Sequence, residues 1–177
     1  MKFRLLCLST GDYDGLGRVR IQELKLVGAR LGAVSTDIVN NQALKDGPRF
    51  WSTIAVTEAI EQYLSAHKGV DAIFTFDVYG VSGHANHVSV FRGVSGVSTL
   101  IPRYTLNSVA LWRKYIPFLD FFISLVTYPP RALVAVNLDD PLLALTTMRM
   151  YGSQNVWFRK LFSVFSRYSY INDFTRI

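Results

Sequence analysis

Hydrophobic positions along this chain fall into two rhythms, short apolar runs and stripes at helical spacing. Leu5-Leu6-Cys7-Leu8 lies within Lys2–Ser9, which predicts a buried strand, and a turn-rich loop bearing Asp12 and Asp14 follows it. Ile21, Leu24, Val27 and Leu31 share one helical stripe and predict a helix over Arg18–Leu31. A second, more polar strand is expected at Ala33–Val39. A helix is expected over Trp51–His67, with Ile54, Ala55, Glu58, Ile60 and Leu64 on its buried side. Ala72-Ile73-Phe74 reads as another buried strand.

Later segments are less regular. Val88–Val97 has helical patterning that Gly93 and Gly96 weaken. Strands are expected at Leu106–Leu111 and Ala132–Asn137, and Asp139-Asp140-Pro141 predicts the start of a helix reaching about Met150. Ser153–Tyr170 sets Trp157, Phe158, Leu161, Phe162, Phe165 and Tyr168 among Arg159, Lys160 and Arg167. This predicts a basic, aromatic amphipathic helix that either packs on the domain or rests at a membrane surface.

The stretch that carries chemistry is Thr75–His87. Asp77 sits where the third strand should end, Gly80 and Gly83 make a loop, and His84 and His87 follow three residues apart. On a helix starting near Gly83 both imidazoles would share a face. A strand, a glycine loop and a helix N-terminus place such groups at the carboxyl edge of a sheet, where open α/β folds bind ligands. Two histidines there, with Asp77 nearby, suggest a metal ligand and an acid/base partner. The competing reading is a pair of surface or hydrogen-bonded residues. His67, beside Lys68 at a helix end, is read as a structural residue. Arg20 and Glu23, also three apart, form either a helical ion pair or part of a binding site.

Composition narrows the class. At 177 residues, half of them hydrophobic and 14% aromatic, the chain is expected to form a single domain over 1–177. A formal charge of +6 favours anionic partners, but without a dense Lys/Arg tract a nucleic-acid partner is not expected. One cysteine excludes an intramolecular disulfide, and Cys7 reads as a small buried hydrophobe. The greasiest stretch, Ile116 to Val136, is interrupted by Asp120, Pro129-Pro130 and Arg131. It falls short of the ~20 apolar residues of a spanning helix.

Thr-Phe-Asp-x-x-Gly-Val-Ser-Gly-His-x-Asn-His at 75–87 resembles the de-N-acetylases of N-acetylglucosaminylphosphatidylinositol, within the wider LmbE-like zinc deacetylases. Leu5–Gly11 with Gly15-Leu16-Gly17 and Arg20-x-x-Glu23-Leu24 is similar to that family's second strand and following helix. Ser108-Val109 with Arg113-Lys114-Tyr115 is similar to its middle region. Ser153-Gln154-x-x-Trp157-Phe158-Arg159, followed by Phe165–Tyr168 and Ile171-Asn172, is similar to its C-terminal signature.

The resemblance implies a Rossmann-like three-layer α/β sandwich with a mostly parallel sheet. It also implies hydrolysis of the acetamide of N-acetylglucosaminylphosphatidylinositol in glycosylphosphatidylinositol anchor assembly, at the cytosolic face of the endoplasmic reticulum membrane. The implied partners are the glycolipid substrate and the membrane surface, and the implied cofactor is zinc, with a carboxylate base. His87 would be a zinc ligand, His84 the residue assisting the tetrahedral intermediate or the leaving amine, and Arg20 an anion contact. The family's His-Pro-Asp-Asp-Glu motif precedes the region matched here. A domain lacking its first strand and helix is therefore expected, inactive alone, with Asp12, Asp14 and Asp77 as the remaining carboxylates at the sheet edge. The alternative is a non-catalytic module binding the phosphoinositol glycan or a partner. Tyr151 and Asn40 stand where the family usually has histidine and aspartate.

Overall fold

The computed structural model describes residues 2–127, 133–137 and 139–177. Strand β1 (Arg4–Cys7) pairs in parallel with β2 (Ser35–Ile38), Arg4 opposite Ser35 and Cys7 opposite Ile38. Helix α1 (Gly17–Arg30) connects them and lies so close to β2 that a Cβ at Gly28 would collide with the Thr36 hydroxyl. Its expected stripe holds, with Val27 buried and Ile21, Leu24 and Leu31 half-buried.

Helix α2 (Thr53–Ala66) starts at Ser52, whose Oγ accepts a hydrogen bond from the Ala55 amide. Its buried face is Val56, Ala59 and Ile60, whereas Ile54, expected inside, is exposed. Strand β3 (Ile73–Phe76) leads through the single turn α3 (Gly80–Gly83) into α4 (Ala85–Gly96), which returns to β4 (Arg103–Leu106), parallel to β3. Gly93, which weakens the helical pattern of α4, is where α2 and α4 touch. A Cβ there would overlap Val56, and the Thr57 hydroxyl donates to the Gly93 carbonyl at 3.0 Å. Leu8, Leu44, Val56, Ala59, Ile60, Val94 and Val97 form the core, with Leu6, Val39 and Ile73 packed against it. One apolar centre thus supports strands from both sheets.

The remainder comprises α5 (Leu111–Lys114), α6 (Pro117–Thr127), β5 (Leu133–Val136), α7 (Leu143–Met150), α8 (Trp157–Phe165) and β6 (Ile171–Arg176). The second sheet runs β3-β4-β6-β5, and β6 is antiparallel to both neighbours. The expected α/β class is present, but the strand pairings among the described residues are two parallel and two antiparallel rather than mostly parallel.

Two boundaries differ from the sequence reading. The strand expected at Leu106–Leu111 lies earlier, because Asn107 and Ser108 leave the ladder to bind Asp173 and Asp77. The helix expected over Ser153–Tyr170 ends at Phe165, and the chain then enters β6, which its polar residues Asn172, Asp173 and Thr175 had concealed. Ala132 and the Pro129-Pro130-Arg131 interruption lie outside the described residues. Among the described residues no helix is long and apolar enough to cross a membrane.

Candidate active site

The turn after β3 is built from left-handed backbone. Gly80 has φ 58°, Gly83 has φ 74°, and Val81 between them has φ 67°, a conformation costing a β-branched residue about 1–3 kcal/mol. Val81 is held there by donating its amide to Ser108 Oγ at 2.9 Å. A Cβ on Gly80 would come within 2.9 Å of His87 Cβ, so the absent side chain lets α4 close onto the turn.

That closure orients His87. Its Nδ1 lies 3.1 Å from the Gly80 carbonyl, which can only accept, so Nδ1 carries the proton and Nε2 presents a lone pair. The ring stacks on Phe76, centroids 3.9 Å apart, and on His84, centroids 4.7 Å apart. Burial pushes the His87 imidazole below its usual range, with the neighbouring His84 acting in the same direction and the Gly80 hydrogen bond opposing them. His87 is therefore neutral at neutral pH, the form that can bind a metal or accept a proton.

His84 does not lie inside the helix. It is the N-cap of α4, and its Nδ1 accepts the Asn86 amide at 3.3 Å. With Nδ1 accepting, Nε2 is the nitrogen that carries the proton. The two imidazoles are brought together in opposite tautomers, one exposing a lone pair and the other an N–H donor.

Asp77 takes a different role from the acid/base partner suggested by its position. Its Oδ1 accepts from the amides of Tyr79 and Gly80 and from Ser108 Oγ, and its Oδ2 accepts from the Ser108 amide. The carboxylate ties the end of β3 to the loop after β4. Asp12 likewise accepts the Gly17 amide at 2.7 Å and sets the start of α1.

Arg20 and Glu23 do not pair with each other. Arg20 donates to the Gly11 carbonyl at 2.5 Å and to Asp14 at 2.6 Å, and lies 3.7 Å from Asp46. Glu23 accepts from both the amide and the hydroxyl of Ser153. The loop carrying Asp46 also reaches α4. Ser89 Oγ accepts the Trp51 amide at 2.9 Å, and Asn86, with its amide turned to donate, reaches the Gly47 and Arg49 carbonyls. Arg20 and the histidine pair are thus joined through one loop, although no direct contact connects them among the described residues. Tyr151, near Cys7 and Glu23, has its hydroxyl pushed up to about 12, chiefly by burial. Cys7 is likewise raised by burial and donates to the Ser9 carbonyl, as expected of a packed thiol. His67 caps α2, stacked on Tyr63.

A catalytic zinc generally takes three protein ligands and an open position. His87 fits one such position, with the Gly80 carbonyl accepting from its other ring nitrogen and fixing the ring. No group of three His, Cys, Asp or Glu side chains is placed to hold a metal among the described residues. Among the described residues this donor set does not complete a zinc centre.

In this α/β chain the imidazole pair stands at the carboxyl end of a parallel strand, the position at which open α/β sheets bind ligands. Residues 1–98 match the family described as PIG-L: GlcNAc-PI de-N-acetylase. The N-acetylglucosaminyl-phosphatidylinositol de-N-acetylase of Bos taurus is 34% identical over 178 residues, covering 96% of this chain and 70% of the bovine protein. The probable enzyme of that name from Schizosaccharomyces pombe is 30% identical, covering 94% of this chain and 71% of its own length. The Saccharomyces cerevisiae relative is 27% identical over 97% of this chain. The chain belongs to the GlcNAc-PI de-N-acetylase family, whose members are in general metal-dependent deacetylases.

Proposed function

We propose that this chain acts in the removal of the acetyl group from N-acetylglucosaminyl-phosphatidylinositol, the substrate named for its relatives. The observation that carries the reading is the His84–His87 stack with its two tautomers set by Asn86 and Gly80. His84 Nε2–H is the donor for the oxyanion or the departing amine, and neutral His87 is the metal-side or proton-accepting group. The zinc that the resemblance implies would need donors beyond His87, which the described residues do not supply. Arg20 is the anion contact. Its pair with the exposed Asp14 is of the kind worth under about 1 kcal/mol and can be exchanged for the substrate's phosphate. Its buried Nε has no hydrogen-bond partner among the described residues. The working place of such a chemistry is the endoplasmic reticulum membrane, at its cytosolic face.

The test uses the purified chain and a soluble N-acetylglucosaminyl-inositol phosphate headgroup. The imidazole resonances of His84 and His87 should move on saturation while that of His67 stays still. Acetate release should fall by ~10²-fold or more in His84→Ala and in His87→Ala. Arg20→Ala should weaken headgroup binding with little effect on the bound reaction. Headgroup binding that leaves both resonances unmoved, or release that survives both substitutions, would sink the reading.

A further inference from the structure

Helices α5, α6 and α8 are built inside out. On α6, Asp120 and Ser124, four residues apart, are 0% and 1% exposed, while Leu119, Phe122 and Val126 on the other face are 57%, 64% and 86% exposed. On α8, Ser163 is buried whereas Trp157, Phe158, Leu161 and Phe165 are exposed. On α5, Lys114 is buried over the rings of Tyr115, Phe162 and Tyr168, and Leu111 and Trp112 face outward.

The inward polar groups share a partner region at Arg167–Ser169. Arg167 ion-pairs with Asp120 and Asp173, Arg113 pairs with Asp120, and Lys114 lies over Tyr168. All three helices pack on this turn, α5 also packs on α6, and Tyr115 after α5 meets Phe162 of α8 edge-on, so the outward side chains of the three lie near one another. A water-soluble helix shows the opposite polarity, and an exposed apolar patch of this extent marks an interaction surface.

We infer that the outer faces of α5, α6 and α8 form an in-plane membrane-docking surface, seated in the headgroup and upper acyl region of a leaflet containing phosphatidylinositol. Trp112, Tyr115 and Trp157 supply the amphipathic rings that favour this depth, and Arg159 and Lys160 supply charge for anionic headgroups. Docking in the plane suits helices of four to eleven residues, none of which can span. Charge selects lipid over a second copy of the chain, since a net +6 repels itself and attracts an anionic surface. The inference deepens the functional reading, whose substrate is itself a lipid, but it stands on separate residues.

Flotation of the purified chain with vesicles of phosphatidylcholine and phosphatidylinositol tests it. Co-flotation is expected, together with quenching of Trp112 and Trp157, but not Trp51, by brominated phosphatidylcholine in single-tryptophan variants. Each apolar side chain removed in Phe122→Ser or Val126→Ser should lower vesicle partition about tenfold. Far-UV circular dichroism should not change, because these side chains are largely exposed. No co-flotation overturns the proposal. So does a lipid-free dimer in light scattering that the same substitutions abolish, because a second copy then covers the face. These vesicles carry no acetylated sugar and so read docking alone; flotation without acetate release from the soluble headgroup counts against the functional reading alone. Acetate release from the soluble headgroup without flotation counts against docking alone.

Discussion

Residues 2–106 and residues 107–177 solve the burial problem in opposite ways. The first region closes an aliphatic centre between α2, α4 and the strand ends, with Val56 and Leu44 inside and charged side chains outside. The second gathers Arg113, Asp120, Arg167 and Asp173 into a neutral interior network and turns Trp, Phe, Leu and Val outward. In the first region the hydrophobic effect selects the packing. In the second, packing rests on paired charges whose desolvation must be matched by partners, so every member is needed. The lesson is that an apolar residue's place cannot be judged from hydropathy alone when a carboxylate on the same helix has a stronger claim on the interior.

Removing one partner should break the second region most severely. Asp120→Ala removes the buried carboxylate that Arg113 and Arg167 share, leaving Asp173 to balance Arg167 and Ser124 to hold Arg113, and a loss of roughly 3–5 kcal/mol is expected in urea unfolding. An unchanged midpoint would show that water reaches this network. The contrast is sharpened by one truncation made in both regions. Val56→Ala, at a fully buried site, should cost about 2 kcal/mol, whereas Val126→Ala, at an exposed one, should stay within about 0.5 kcal/mol. Equal losses at the two sites would erase the distinction.

The smallest effect concerns His87. Its imidazole ordinarily titrates near 6.5 and is held lower in the fold. Between the two values the unfolded chain binds a proton that the folded chain refuses, so stability rises with pH there and falls as pH drops through that window. Thermal unfolding from pH 7 to pH 5 should show this decline, reduced in His87→Gln. A wild-type slope identical to that of the variant would remove burial as the cause.

Much of the first region is legible in residue order. Apolar runs at 5–8 and 72–74 and the stripe of α1 announce themselves, because local burial and local periodicity agree there. The glycine turn and the histidine spacing point to a site, yet residue order misreads its details. Asp77 resembles an acid/base group until Ser108, brought from after β4, claims both of its oxygens. Arg20 and Glu23 look like partners until Asp14, Asp46 and Ser153 divide them. Asp120 reads as a flaw in an apolar stretch, and β6 hides because its Asn172 and Asp173 bond to groups that only the folded chain supplies.

By itself the sequence determines the α/β class, the early strands and helices, family membership and the pairing of His84 with His87, since all of these depend on neighbours within a turn or two. Tertiary structure alone decides where Arg20, Glu23 and Arg167 find their partners and which face of α6 and α8 turns outward. Those outcomes are set by hydrogen bonds and ion pairs between residues far apart in the chain. The cost of leaving a buried polar group unpaired outweighs the preference of any single apolar side chain.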